Sequence, residues 1–292
     1  MATERVYHSL SAKGLNRDML PMRLWAKGKK LGTWNPSDID FSQDRKDWEE
    51  AETLEQEVLL HLTSLFLGGE ESVTNDLLPL IMAIADEGRL EEEMYLTSFL
   101  FEEAKHVEVF RRFFDEVVGY TGDLTRFQGD HYKAIFDDAL PNALNRLRED
   151  PSPANQAAAS ATYNMIVEGV LAETGYHAYF TTLEERGLLP GMQEVARLLK
   201  QDESRHMAYG VFLLSRLVAE HGDPVWERIE ETMTSLLPHA TGMIEEIFDS
   251  YERMPLGLEV SEFLEYAIDQ YQKRYQRISS SRDKTLADVV DQ

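Results

Sequence analysis

The sequence predicts an all-α protein, a four-helix bundle core with additional peripheral helices. Apolar residues recur at helical spacing through several runs of about 30 residues, far longer than the usual helix mean of about 11–12. No stretch shows the sustained apolar–polar alternation of a strand. Because short turn-rich segments separate the runs, neighbouring helices are expected to pack antiparallel, as in an up-and-down bundle.

Composition limits the classes of protein that the chain can belong to. Its 292 residues, 43% of them apolar, suffice for a sizeable core, and we expect one domain over residues 1–292. Cysteine is absent, which excludes disulfides, cysteine-bound zinc and iron–sulfur clusters. The formal charge of −24 argues against nucleic acid as a partner. No apolar run approaches 18 residues and the N-terminus lacks a signal-peptide pattern, so we expect no membrane span and a cytoplasmic location.

The N-terminal third is predicted to hold an irregular arm and the first long helix. Residues 1–44 are turn-rich, and Trp34 within them is interpreted as an aromatic plug under the arm. A helical pattern follows over 53–87. Two consecutive glycines interrupt it just before Glu70, which suggests a close approach of another helix, and Pro79 is expected to kink its later part.

The rest of the chain is predicted to be helical between turns. Glycine or proline marks most of the predicted boundaries. The helices are expected over residues 90–118, 123–147 (more polar and peripheral), 154–186, 191–220 and 261–278, with another from 223 that Pro238 breaks or kinks. Residues 280–292 are predicted to form a loose tail.

Two short motifs in these helices carry candidate chemistry. Glu103-x-x-His106 and Glu203-x-x-His206 lie 100 positions apart, and a step of three residues places each pair on one helix face. Each motif follows a lone glutamate in an apolar helical run, Glu70 by 33 residues and Glu168 by 35. Four glutamates and two histidines are the metal ligands of ferritin-like dinuclear carboxylate bundles. The sequence therefore predicts a ferritin-like core with six metal ligands facing inward.

Several acidic neighbours of these motifs are predicted to lie outside the ligand set. Glu71 and Glu102 are rotated about 100° from Glu70 and Glu103 on a helix, and Glu173 also lacks the motif context. Asp202 is instead predicted to accept a hydrogen bond from a ligand imidazole. Carboxylates with two imidazoles suit Fe(II), Mn(II) or both, so we expect redox chemistry with O₂ at a buried dinuclear centre.

With these residues placed, the sequence resembles the ribonucleotide reductase small-subunit superfamily, and more closely the R2-like ligand-binding oxidases. The resemblance covers nearly the whole chain. It rests on Trp34-Asn35-Pro36-x-x-Ile39-Asp40-Phe41-Ser42, Gly69-Glu70-Glu71-Ser72-Val73-Thr74, Glu102-Glu103-Ala104-Lys105-His106-Val107, Thr162-Tyr163-Asn164-Met165-Ile166-Val167-Glu168-Gly169 and Asp202-Glu203-x-x-His206.

The resemblance implies a manganese–iron cofactor, with a di-iron form as the alternative. It assigns manganese to Glu70, Glu103 and His106, iron to Glu168, Glu203 and His206, and a bridging role to Glu103. It further implies a long-chain fatty acid whose carboxylate reaches the metals, reaction with O₂, an unidentified reductant and a homodimer.

The resemblance also implies an ether cross-link between Val73 and Tyr163, formed after O₂ activation. Val73 lies one turn beyond Glu70 on the same helix face, so its position by itself places it near the metals. Tyr163 lies about 140° round an α-helix from Glu168. Spacing alone therefore would not select this tyrosine.

Three other functions stay open from the sequence. A ribonucleotide reductase radical-generating small subunit of the Mn/Fe type would tolerate Phe110, which stands where the tyrosyl-radical type has its tyrosine. The chain's C-terminal residues lack the aromatic residue that such subunits usually offer their large partner. A non-catalytic ferritin-like protein that binds metal or lipid, and a monooxygenase with a reductase partner, are the others. Trp34 matches the tryptophan that carries electrons in true reductase subunits and is interpreted as structural.

Overall fold

A computed structural model describes residues 7–12, 14–119, 122–184 and 186–290, and every regular element in those ranges is helical. The predicted all-α class is therefore confirmed. The α-helices are α1 (Leu20–Leu31), α2 (Ser42–Glu50), α3 (Thr53–Asp76), α4 (Leu78–Asp86), α5 (Leu90–Phe113), α6 (Asp130–Lys133), α7 (Leu140–Asn145), α8 (Pro153–Ser160), α9 (Glu173–Tyr179), α10 (Pro190–His221), α11 (Asp223–Asp249), α12 (Val260–Ser279) and α13 (Leu286–Val290). Segments of π-helix cover Phe114–Val118, Ala134–Ala139, Ala161–Ala172 and Phe180–Glu184.

Four helical rods carry the candidate site. They are α3, α5, the continuous helical run 153–184, and α10. α3 packs on α5, and α10 packs on both α5 and the π-helix Ala161–Ala172. Asp44 of α2 fixes the start of α10, because its carboxylate accepts the backbone N–H groups of Gly191 and Met192, each at 2.8 Å. Helices α11 and α12 cover the π-helix from the other side.

Prolines and helix type change some predicted boundaries. The run predicted as one helix over 53–87 is two helices, α3 and α4, because Pro79 cannot donate the hydrogen bond that would continue the first. Helix α11 runs through Pro238 to Asp249, so that proline does not end the helix. The peripheral helix predicted from 123 begins at Asp130 and alternates between α and π geometry.

The two terminal regions are more ordered than predicted. The irregular arm proposed for 1–44 contains α1, whose buried face includes Met22, Leu24 and Gly28 and packs on α5. The chain reverses beyond it at Gly32, where a Cβ would lie 1.8 Å from a carboxylate oxygen of Glu102. The loose tail proposed for 280–292 contains α13, which buries Val289. The prediction was wrong at these two helices because they are held by packing, α1 on α5 and α13 on α10, which the local pattern does not show. Residues 1–6, 13 and 291–292 lie outside the described part.

Among the described residues, no helix combines the length and the apolarity that a membrane span requires.

A buried histidine on α3 makes the stability of the fold depend on pH. His61 is 4% exposed, stacks on Phe127 at 4.6 Å between ring centroids, and has Nδ1 3.1 Å from the Tyr251 hydroxyl. Burial lowers its pKa from 6.5 to about 4. The pKa of His61 is therefore lower in the folded state than in the unfolded state. Above pH 6.5 His61 is neutral in both states and does not reduce the stability of the fold, and as pH falls towards 4 the protein loses stability because the unfolded state binds the proton more readily.

We therefore expect His61 to contribute a loss of about 2 kcal/mol in the free energy of unfolding between pH 7 and pH 5. His61→Phe keeps an aromatic ring on Phe127 and should lack this contribution. Urea denaturation at both pH values measures the difference between wild type and variant. His221→Phe, at a histidine whose side chain is 43% exposed, is the control for the substitution itself. An equal pH dependence in wild type and His61→Phe would contradict the expectation.

Candidate metal centre

The structure brings all six predicted ligand side chains together inside the bundle. Every one of them is buried. Their nitrogen and oxygen atoms form two overlapping groups, and the atoms of each group lie within 4.8 Å of one another. The groups are Glu70, Glu103, His106 and Glu203, and Glu103, Glu168, Glu203 and His206. Glu103 and Glu203 therefore both lie between the two half-sites, whereas the sequence assigned a shared position to Glu103 alone.

Each histidine turns its Nδ1 atom towards this cluster. His106 Nδ1 lies 3.4 Å from a Glu70 oxygen and 3.5 Å from a Glu203 oxygen. His206 Nδ1 lies 2.9 Å from a Glu103 oxygen and 3.5 Å from a Glu168 oxygen. The cluster therefore consists of two imidazole nitrogens facing four carboxylates in a space closed to bulk water.

The opposite nitrogen of each histidine is held by an acid from the other motif. His106 Nε2 lies 3.4 Å from Asp202 Oδ2, which agrees with the acceptor role predicted for Asp202. His206 Nε2 lies 2.9 Å from Glu102 Oε2. Glu102 was predicted to lie off the site, and the sequence reading missed this contact. The available signal was that an acid precedes the glutamate in both motifs, so a role for Asp202 implied one for Glu102.

The residue before each histidine supplies a cation to the same pairs. Lys105 Nζ lies 3.1 Å from Asp202 and 2.6 Å from the Gly32 carbonyl oxygen. Arg205 donates to Glu102 at 2.8 Å and also contacts Asp202. Since an unpaired buried charge is costly, these two cations stabilise the acids that orient the imidazoles.

Trp34 joins this network at its outer edge. Its indole N–H donates to Asp202 Oδ2 at 2.8 Å, and Lys105 Nζ lies 4.0 Å from the centre of the ring. The side chain is half-buried, which agrees with its interpretation as an aromatic plug. Its hydrogen bond also connects it, through Asp202, to His106.

A π-helix explains the position of Tyr163. Tyr163 and Glu168 both lie in the π-helix Ala161–Ala172, where the backbone bond closes on the fifth residue and residues five apart share a face. The fully buried Tyr163 hydroxyl donates to Glu103 Oε1 at 2.9 Å. The angle of 140° expected on an α-helix is therefore wrong for this segment, and the tyrosine faces the cluster.

The charges of the cluster are balanced only in part by the protein. Burial raises the pKa of Glu70 and of Glu168 to about 8. Burial also acts on Glu103, but His206 and His106 outweigh it and hold the pKa of that carboxyl well below its usual range. The pKa of each imidazole is raised well above 6.5, because the facing glutamates outweigh burial.

The donor atoms fit a pair of divalent ions. His106 Nδ1, His206 Nδ1, Glu168 Oε1 and Glu203 Oε2 are buried and make no well-aligned hydrogen bond to the described residues, although His206 Nδ1 lies 2.9 Å from Glu103. Buried polar atoms are rarely left unpaired, and here all four face one space. Carboxylate oxygens with imidazole nitrogens are ligands for Mn(II) and Fe(II), so two such ions would satisfy these atoms.

An apolar tunnel leads to the same carboxylates. The cavity has a volume of about 130 Å³. Its walls are almost wholly apolar, and its polar lining among the described residues consists of Thr174 and the four clustered glutamates. The apolar wall includes Val73, Phe66, Leu171, Ile244 and Phe263. The cavity is therefore an apolar pocket that has the glutamate cluster in its lining.

The fold and this site together define a ferritin-like dinuclear carboxylate protein. The family model for the ribonucleotide reductase small chain matches residues 22–275. An R2-like ligand-binding oxidase with aerobically reconstituted Mn/Fe cofactor (long soak) is 36% identical, with TM-score 0.89, over 94% of this chain and 98% of that one. A glycine-to-leucine variant of an R2-like ligand-binding oxidase, with aerobically reconstituted Fe/Fe cofactor, is also 36% identical. It has a TM-score of 0.90 over 94% of this chain and 99% of that one.

The chain therefore belongs to the ribonucleotide reductase small-chain family and, within it, to the R2-like ligand-binding oxidases. The resemblance drawn from the sequence and the ferritin-like fold are both confirmed.

Proposed function

We propose that the protein is an O₂-activating manganese–iron oxidase that binds a long-chain fatty acid and forms a Val73–Tyr163 ether cross-link. One observation carries the proposal: four buried glutamates and two histidines stand at the inner end of an apolar tunnel. The similar solved structures are named oxidases and carry Mn/Fe or Fe/Fe cofactors, which supports the same chemistry here.

The six proposed ligands are divided between the two half-sites. Glu70, Glu103 and His106 hold manganese, and Glu168, Glu203 and His206 hold iron. Two such ions supply the redox equivalents that O₂ activation needs. The contacts of Asp202 and Glu102 with the imidazole Nε2 atoms leave both Nδ1 atoms free to bind metal. An unmixed di-iron form remains the alternative cofactor.

The lining of the tunnel supports a fatty acid as the ligand. An acyl chain would be buried among apolar walls, which stabilises it by roughly 0.8 kcal/mol per CH₂ group. Among the described residues that line the tunnel none is cationic, while four are glutamates. Bound metal ions would supply the positive charge that the head-group carboxylate needs, so we expect the acid to bind more tightly to the metal-loaded protein.

Val73 and Tyr163 each lie next to a glutamate of this cluster. Val73 is 3% exposed and lines the tunnel beside Glu70, and the Tyr163 hydroxyl is bonded to Glu103. The ether bond joins valine Cβ to the tyrosine oxygen. Its formation removes one hydrogen from each residue, which is a two-electron oxidation with O₂ as the final acceptor. The hydrogen bond to Glu103 gives the phenolic proton an acceptor at 2.9 Å.

Peptide mass spectrometry tests this function. After aerobic loading with Mn(II) and Fe(II), the Val73 and Tyr163 peptides should be joined and lighter by two hydrogens. Anaerobically loaded protein and the Tyr163→Phe variant should yield separate peptides. Tyr132→Phe is the matched control, because Tyr132 is equally buried but lies outside the metal cluster, and it should cross-link normally. Separate peptides from fully loaded, oxygen-exposed wild type would remove the cross-link from the proposal.

One observation favours a second candidate, a radical-generating reductase subunit. The hydrogen bond from Trp34 to Asp202, and the contact of Asp202 with His106, form a continuous link from the protein's edge to the metal cluster. Restoration of ribonucleotide reduction on mixing with a reductase large subunit would select this candidate. Failure to bind any large subunit would leave the oxidase.

A further inference from the structure

A groove on the outside of α10 is lined by basic side chains. It lies between α10, α12 and α13, and has a volume of about 480 Å³. Its described lining residues include four cations and no acid, although the chain carries a net charge of −24. They are Lys273, which pairs with Asp269, Arg274, which also interacts with Glu173 and Asp269, Arg277 and Lys284. An anion therefore meets positive charge here that most of this acidic protein lacks.

The floor of the groove is apolar and ends on an aromatic ring. Met207, Val211 and Phe212 of α10 form part of it, with Val289 of α13 opposite. A flat apolar ring can therefore lie on the floor while an attached anionic group meets the cations at the rim. Phe212 is 3% exposed, so only its edge meets the groove.

A chain of aromatic rings runs from Phe212 to the metal cluster. The Phe212 and Tyr209 ring centroids are 6.4 Å apart, and those of Tyr209 and Tyr95 are 5.2 Å apart. Tyr95 lies 6.0 Å from Phe99, which stacks on His206 at 3.7 Å. The rings connect the groove to a proposed iron ligand without a gap.

One tyrosine in the chain, Tyr209, is placed as a redox group would be. The Tyr209 hydroxyl donates to Glu92 Oε2 at 3.1 Å, and Glu92 is wholly buried with Arg216 Nε 3.2 Å from its other oxygen. A phenol that loses an electron becomes a strong acid, and Glu92 can take its proton. The buried Tyr95 hydroxyl has no hydrogen-bond partner among the described residues, so Tyr95 contributes to the chain through its ring.

We propose that the groove binds a small planar anionic electron donor of the reduced flavin phosphate type, and that the rings from Phe212 to Phe99 carry its electron to the metal site. The inference rests on the proposed function, which leaves the reductant unidentified. With the proposed ions bound and oxidised by O₂, Tyr209 would give them one electron and pass its proton to Glu92. The bound donor then returns one electron to Tyr209, Glu92 returns the proton, and the net change is one electron passed from donor to metal.

The binding step is tested on metal-free protein with flavin mononucleotide and riboflavin as probes. They share the ring system and differ by the phosphate. Fluorescence titration should show flavin mononucleotide binding at least tenfold more tightly than riboflavin, with a difference that shrinks at high salt. Arg277→Glu with Lys284→Glu should abolish the difference, and Lys46→Glu, an exposed site on α2, should keep it. Equal binding of the two flavins to wild type would overturn the site, whatever the fate of the oxidase proposal.

The electron path is tested on metal-loaded, O₂-oxidised protein by stopped flow under anaerobic conditions. Reduced flavin mononucleotide should reduce the wild type at least tenfold faster than it reduces Tyr209→Phe, which lacks the redox phenol, or Tyr95→Leu, which lacks one ring of the chain. Tyr95→Leu breaks no hydrogen bond to a described residue, so it offers a second test if Tyr209→Phe does not fold. Tyr132→Phe, outside the chain, should match wild type. Unchanged rates in Tyr95→Leu and any folded Tyr209→Phe would overturn the path, and a normal Val73–Tyr163 cross-link in the same samples would show that the oxidase proposal survives.

Discussion

Replacing Glu103 with alanine is expected to leave less than one tightly bound metal ion per chain. The Glu103 carboxylate belongs to both groups of donor atoms, and its oxygens lie 2.9 Å from His206 Nδ1 and 3.6 Å from His106 Nδ1. Removing it takes a ligand from each half-site at once. Loss of an outer hydrogen-bond partner alone weakens metal binding by roughly 10–100-fold, so we expect a loss of at least about 100-fold. Elemental analysis after dialysis against a weak chelator measures the remaining metal.

Glu71→Ala is the matched control for this measurement. Glu71 follows Glu70 directly but is exposed, so its removal should leave two ions bound. Circular dichroism should show both variants folded at 25 °C. Two retained ions in a folded Glu103→Ala protein would contradict the placement of this residue between the half-sites.

Replacing Arg216 with methionine is expected to destabilise the chain by about 3–5 kcal/mol, the usual cost of removing one partner from a buried ion pair. Arg216 is wholly buried, with Nε 3.2 Å from Glu92 and Nη1 2.9 Å from Glu220. Without it the buried Glu92 retains the Tyr209 hydroxyl and, as its one cation among the described residues, Arg89 at 3.9 Å. Urea denaturation with the metal content held constant measures the change in the free energy of unfolding.

A second substitution separates the charge from the packing. Adding Glu92→Met to Arg216→Met removes the stranded carboxylate, and most of the lost stability should return. Arg228→Met breaks the exposed pair with Glu231 and should change stability by less than about 1 kcal/mol. A double variant no more stable than Arg216→Met alone would show that the loss came from packing.

The parts of the fold that depend on periodic pattern were predictable. Long apolar stripes gave the main helices, and the repeated Glu-x-x-His pattern identified the six side chains that the structure brings together. These features are local in sequence. Helix geometry alone decides that Glu203 and His206 share a face, whatever the rest of the chain does.

Features decided by tertiary packing were not predictable in the same way. No sequence pattern in residues 161–172 predicts a π-helix, yet the π-helical backbone turns the Tyr163 side chain towards Glu103. Helix α1 is held by its packing against α5 more than by its own short pattern. Glu102 was predicted to lie outside the site because a helical wheel describes one helix only. The histidine that contacts Glu102, His206, lies on a different helix.

The crossed contacts of Asp202 and Glu102 have a consequence for how the site fills. The imidazole of each half is steadied by an acid carried on the other half's helix. If ions bind to the proposed ligands, an ion on one side would hold α5 against α10 and so help to order the ligands of the other side. We therefore expect a metal titration to show cooperative filling, with less of the singly filled form than two independent sites would give.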